Sequence, residues 1–150
     1  MILTPASQRR LSRRAGFTLL EVLVVVAILV ILSTVAIVAT TRYLEDARKG
    51  RAQLQCRSLS TAIEAYKTNA ANPTFEDPTD LSQLLTPPFG GTSFLKNGQE
   101  DLYDPWGNQY QMRPFQQGDG TTIIQVYTRS KNDNTPISQF GIGPLSRVEN

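Results

Sequence analysis

Gly16-Phe17-Thr18-Leu19-Leu20-Glu21 opens an apolar run that continues to Ala39, and the reading of this stretch decides the fold. From Phe17 to Ala39 there are 23 residues, and Glu21 is the only charged one. At ~1.5 Å per residue a helix of that length spans roughly 35 Å, enough to cross a bilayer core of about 30 Å. Arg9, Arg10, Arg13 and Arg14 precede the run, and no acid precedes Glu21. A cationic flank before a membrane-length apolar segment places the first residues in the cytoplasm and the remainder on the far side of the membrane.

Glu21 is the anomaly. A carboxylate at the centre of a membrane helix costs about 2.5–3.5 kcal/mol or more. One reading is an acid tolerated near the interface, where the first helical turn presents the positive end of the helix dipole. The other is an acid with a cationic partner. Cleavage between Gly16 and Phe17 would create one by exposing an α-amine, and that amine could face Glu21 of a neighbouring copy. Losing one member of such a pair is worse than losing both.

Composition narrows the function classes. The chain has 150 residues, one small domain plus an anchor, and a formal charge of +2. The four leader arginines account for that sign, because residues 17–150 hold 11 basic and 13 acidic groups. No nucleic-acid footprint follows from such a balance. Cys56 is the only cysteine and reads as a small hydrophobe in a helical pattern. There is no histidine, which removes the commonest general base and disfavours a zinc site. An ordinary secretory signal would have a shorter apolar core and a small-x-small cleavage site after it.

Four segments are expected: a basic leader over 1–16, a membrane helix over 17–40, the outer half of the same helix over 41–71, and a globular region over 72–150. Leu59, Ala62, Ile63, Tyr66 and Ala70 recur at helical spacing and form one apolar face. Arg48, Lys49, Arg51, Arg57, Glu64 and Lys67 fall on other faces and read as solvated. Asn72-Pro73 ends the helix. Asp80 to Leu85 reads as a short helix with Asp80 as its N-cap. Asp104-Pro105-Trp106-Gly107 is a turn by its chemistry, with Trp106 as a core plug beneath it. Strands are expected over 108–115 and 121–128, joined by a hairpin loop at Gln117-Gly118-Asp119-Gly120, with an edge strand near Ile137. So small a sheet cannot stand alone in water, and laying it on the helix stripe satisfies both. The fold class is α+β: a long N-terminal helix, membrane-spanning in its first half, packed against a small antiparallel sheet.

Ala15-Gly16-Phe17-Thr18-Leu19-Leu20-Glu21-Val22 resembles the type IV prepilin signal. Asn72-Pro73-Thr74 and Asp104-Pro105-Trp106-Gly107-Asn108-Gln109-Tyr110 further resemble the major pseudopilin of type II secretion. The resemblance implies a type IV pilin-like fold, cleavage after Gly16 by a prepilin peptidase, N-methylation of Phe17, and assembly into a helical homopolymer in which Glu21 neutralises the amine of a neighbour. It implies an inner-membrane assembly platform and minor pseudopilins as partners, a periplasmic C-terminal domain, and a role in protein export. It implies no enzyme activity; adjacent acids such as Glu76-Asp77 and Glu100-Asp101 read as loop-solvating pairs. The alternatives are a major pilin for adhesion, twitching or DNA uptake, and a single-pass anchored binding module. Val38 stands where the family often has proline, and Asn72 where it has tyrosine. The family's last loop is acid-rich and binds calcium. Here Asp133 is the only acid of that loop, which makes it the candidate calcium ligand or a plain Asn/Asp turn.

Overall fold

The structure is a computed structural model and describes residues 16–148; the rest of the leader, 1–15, lies outside the described residues. The chain falls into two compact units, residues 1–41 and 42–150. Helix α1 runs Leu19–Lys67.

In the first unit the apolar side chains from Phe17 to Leu32 are exposed. The hydroxyls of Ser33 and Thr34 are satisfied within the helix, donating to the carbonyls of Leu29 at 2.7 Å and Val30 at 3.0 Å. Among the described residues no helix is long and apolar enough to cross a membrane. The expected span includes Val35, Ala36, Val38 and Ala39, whose side chains lie outside the described residues. The membrane span therefore rests on the apolar run of the sequence.

In the second unit, Ala52, Cys56, Leu59, Ala62, Ile63 and Tyr66 form the buried face of α1. Their three- and four-residue spacing places them on one side of the helix. Ala70 does not join them. The helix stops at Lys67, the chain turns through Asn69 and Asn72, and Ala70 is exposed. Asn72, which stands where the resembled family has tyrosine, is buried. Its Nδ2 donates to the carbonyls of Tyr66 at 3.3 Å and Glu76 at 3.1 Å, which closes the turn after the helix.

Strands β1 (Gln111–Gln116), β2 (Thr122–Arg129) and β3 (Pro136–Ser138) form an antiparallel sheet in sequential order. Gln111 faces Tyr127 and Gln116 faces Thr122 across the first pair; Tyr127 faces Ser138 across the second. Pro114 cannot donate to a ladder, and β1 accommodates it by lying at the sheet edge.

The sheet supplies only part of the cover over the helix. Leu81, Leu84, Leu95 and Leu102, from the irregular segment before the sheet, join Tyr110 and Val126 in the same core. Tyr66 packs against Phe89 and Phe94, with ring centroids 4.9 and 5.7 Å away. A 3-10 turn, Leu81–Leu84, aims two of these leucines inward. Asp80 caps it by accepting from the Ser82 N–H at 2.7 Å.

The chain beyond β3 closes the far side of the sheet through buried polar groups. Gln125 is fully buried; its Oε1 accepts from Arg113 Nε at 2.8 Å and its Nε2 donates to the Ser146 carbonyl at 2.8 Å. Ser138 Oγ donates to the same carbonyl at 2.6 Å. Among the described residues no buried side-chain polar atom lacks a partner.

Candidate functional site

Two places gather the residues singled out by the sequence. The first is the start of α1. Thr18 precedes the helix, and its hydroxyl accepts from the Glu21 N–H at 3.2 Å. Glu21 returns the bond: its Oε2 accepts from the Thr18 N–H at 2.8 Å and from the Thr18 hydroxyl at 3.1 Å. This reciprocal pair is a capping box, which satisfies two helix-end donors that would otherwise lack partners. Thr-x-x-Glu ahead of an apolar run is its sequence signature, and Thr18 is the functional residue that reading for charge alone passes over. Glu21 Oε2 carries both bonds, and among the described residues Oε1 accepts none. Gly16 and Phe17 precede the helix outside regular secondary structure, with the Phe17 side chain exposed.

The second is the turn from Asp104 to Asn108. Asp104 is buried, and its carboxylate organises the turn. Oδ1 accepts from the backbone N–H groups of Trp106 at 2.9 Å and Asn108 at 2.8 Å. Oδ2 accepts from Asn108 Nδ2 at 3.2 Å and from the buried Thr128 hydroxyl at 2.6 Å. Gly107 takes φ +88°, a conformation a side chain would strain. Pro105 fixes the chain between them. Trp106 is half-buried and is not the core plug expected of it. Its indole N–H points to Glu45 Oε2 at 3.4 Å. The aspartate is the buried member of the motif and the tryptophan is its rim.

Glu45 links this turn to the loop between β2 and β3. It accepts from Ser130 Oγ at 2.9 Å and from Asn132 Nδ2 at 2.7 Å. One helical turn on, Lys49 reaches Asp133, Nζ to Oδ2, at 2.5 Å. Lys49 was expected to be solvated; its side chain keeps only 15% of its exposure because it lies against that loop. The Lys49 ammonium, with bonds from Thr135 and Ser130, holds the Asp133 carboxyl far below the usual carboxylate range. Nothing in the sequence paired Glu45 or Lys49 with residues more than 80 positions away. Asp101, grouped above with loop-solvating acids, is buried as well and accepts from Asn97 N and Nδ2 at 2.9 Å each.

The donor set around Asp133 does not fit calcium. That ion takes six to eight oxygens, with several carboxylates among them. Asp133 is bonded to an ammonium, and its other oxygen accepts from the Thr135 N–H at 3.2 Å. Glu45, the second carboxylate at the loop, is engaged by Ser130, Asn132 and Trp106. Among the described residues no group of three or more His, Cys, Asp or Glu side chains is placed to hold a metal.

An apolar helix capped by Thr18 and Glu21, continuing into a helix packed on a three-stranded antiparallel sheet, defines a type IV pilin-like protein. Comparison with known proteins agrees. The family model described as the prokaryotic N-terminal methylation motif matches residues 11–37, and the model for type II secretion system protein G matches residues 39–135. The chain is 35% identical over 127 residues to the type II secretion system core protein G of Vibrio cholerae, a match covering 80% of this chain and 82% of the relative. It is 34% identical over 111 residues to the protein of that name in Pseudomonas aeruginosa, covering 69% and 75%. With the Klebsiella pneumoniae protein it shares 32% identity over 141 residues, covering 89% and 95%. No solved structure gives a significant match. The chain belongs to the type II secretion system protein G family, the pseudopilins. These matches do not favour the adhesive-pilin or anchored-module alternatives.

Proposed function

We propose that the chain is the major structural subunit of a type II secretion pseudopilus and not an enzyme. The leader, 1–16, is removed by prepilin peptidase after Gly16, and the new amine of Phe17 is methylated. Before assembly the subunit sits in the inner membrane through 17–40, with its N-terminus cytoplasmic and its C-terminal domain periplasmic. An assembly platform and minor pseudopilins then act with it to build a helical homopolymer that drives proteins across the outer membrane. The energy comes from a separate ATPase, since the chain has no phosphate-binding glycine loop followed by lysine.

The observation that carries this reading is the head of α1. Its apolar side chains, Phe17 to Leu32, are exposed and need lipid or other copies to cover them. At the same place Glu21 spends one oxygen on its own cap and, among the described residues, keeps the other open. A neighbour's methylated amine is the cation that open oxygen suits. Bringing lipid-facing helices together exchanges one apolar surrounding for another, so register must come from a polar contact.

Mass spectrometry of the mature protein is expected to find N-methyl-Phe17 as the first residue; a mature start at Met1 would refute the processing step. Glu21→Gln separates the two roles of the carboxylate. Glutamine still completes a capping box but carries no charge. The expected outcome is normal cleavage and a folded subunit that fails to enter filaments with wild-type copies. Filaments formed equally well by Glu21→Gln would eliminate the charge pair and leave the cap as the whole role of Glu21.

A further inference from the structure

We infer that the Lys49 ammonium takes the place of a metal ion in this domain, tying the 130–134 loop to α1 so that no divalent cation is needed to order it. Lys49 lies on the helix, Asp133 at the loop tip, and the two are bonded at 2.5 Å across 84 positions of sequence. The loop is closed on itself by the Ser130 N–H to the Thr135 carbonyl at 2.9 Å and the Asn134 N–H to the Ser130 carbonyl at 3.0 Å. Asn134 takes the left-handed conformation, φ 55°, that this tight reversal requires.

Glu45 makes the second attachment, and it does so only as an acceptor. Its three donors, Ser130, Asn132 and Trp106, turn hydrogens toward the carboxylate, and the Asn132 amide and Trp106 indole nitrogens have no lone pair to offer a cation there. A divalent ion entering beside Asp133 would meet Lys49 first and would have to expel a charge of its own sign. The loop leads directly into β3, whose Ile137 is fully buried and whose Ile137 carbonyl lies 4.0 Å from Cys56 Sγ on α1. Fixing the loop therefore fixes the strand that covers this end of the helix. A tethered cation has one consequence that a free ion lacks: it cannot be diluted or chelated away.

The test uses the full chain in detergent micelles, with thermal unfolding followed by circular dichroism and by Trp106 fluorescence, which reports from beside Glu45. Wild-type protein is expected to melt at the same temperature, within about 1 °C, in EDTA and in 10 mM calcium chloride. An ion bound with a Kd near 100 µM would raise the midpoint by about 10 °C at that concentration. Lys49→Met and Asp133→Asn are each expected to lower it by about 2–4 °C, and the double variant by little more than either. Lys49→Arg, which keeps the charge, is expected to retain most of the wild-type midpoint. A saturable calcium-dependent rise in wild-type midpoint or fluorescence change would overturn the inference, as would Lys49→Met melting like wild type. The wild-type cation titration decides the matter without any variant.

Discussion

Asp104→Ala is the substitution that most directly tests how the globular part is held together. The carboxylate accepts four hydrogen bonds, two from backbone N–H groups and two from side chains. Thr128 is 5% exposed, and deleting the acceptor of its hydroxyl leaves a buried donor stranded at a cost of about 1–3 kcal/mol. The N–H groups of Trp106 and Asn108 each lose a bond to a charged acceptor, worth about 1.5–3 kcal/mol, but both residues reach water and recover part of it. Asn108 Nδ2 is on an exposed residue and adds little. The total is about 3–5 kcal/mol, and at about 4 °C per kcal/mol for a domain of this size the midpoint should fall by about 12–20 °C. Asp104→Asn keeps an oxygen for the two backbone donors, and the Thr128 hydroxyl can rotate to accept from the new amide. It should cost about 1–2 kcal/mol. Urea unfolding of the full chain, followed by circular dichroism, measures both. If Asp104→Ala lost less than about 1 kcal/mol, or if the asparagine variant were as unstable as the alanine one, the turn would not be organised by these bonds.

Two further predictions concern the interior. Burial of the Cys56 thiol, reinforced by the Asp104 charge, pushes its pKa from an ordinary 9.0 up to about 12. The folded chain thus holds that proton more tightly than the unfolded one, so the contribution is complete below pH 9 and is lost between pH 9 and about 12. Tyr110 is shifted upward as well and acts in the same direction. Cys56→Ala should make the alkaline decline in unfolding free energy shallower by up to about 1.4 kcal/mol per pH unit; parallel curves for the two proteins would refute this. Gly141→Ala and Gly50→Ala should have opposite signs in the same assay. A Cβ at Gly141 would lie 2.6 Å from Leu145 Cβ and displace the turn that carries Ser146, costing about 1–3 kcal/mol. A Cβ at Gly50 meets nothing within 4 Å, and alanine there should gain about 0.5–1 kcal/mol of helix stability.

The helix and its buried face were legible because they are periodic. Cys56, Leu59, Ala62, Ile63 and Tyr66 recur as one stripe, and the two strong strands alternate as strands do. Ala70 fits the same period yet falls outside the helix, because periodicity has no information about where a buried Asn72 will turn the chain. The Asp-Pro-Trp-Gly stretch was legible as a turn, but its burial pattern was inverted: the aromatic reads as the plug, whereas four converging donors make the aspartate the interior residue. Leu81 and Leu84 read as the apolar face of a short helix, but Leu95 and Leu102 gave no hint that irregular chain would share the cover of the helix with the sheet, since coil has no period to read. Lys49 and Glu45 look like ordinary solvated charges. Their partners are set by how the β2–β3 loop folds back, which no local pattern encodes.

The bonds from Glu45 and Lys49 to residues 84–87 positions later impose an order of events on synthesis. At about 5–20 residues per second, the greasy stripe of α1 emerges roughly 4–17 s before the segment that anchors its last cover has been made. During that interval the newborn chain displays both an uncovered hydrophobic flank and an unsealed strand edge. Its quality control is thus a matter of timing: escorts that shield the nascent polypeptide must outlast the delay, and anything that stalls the ribosome in this window lengthens the aggregation-prone exposure.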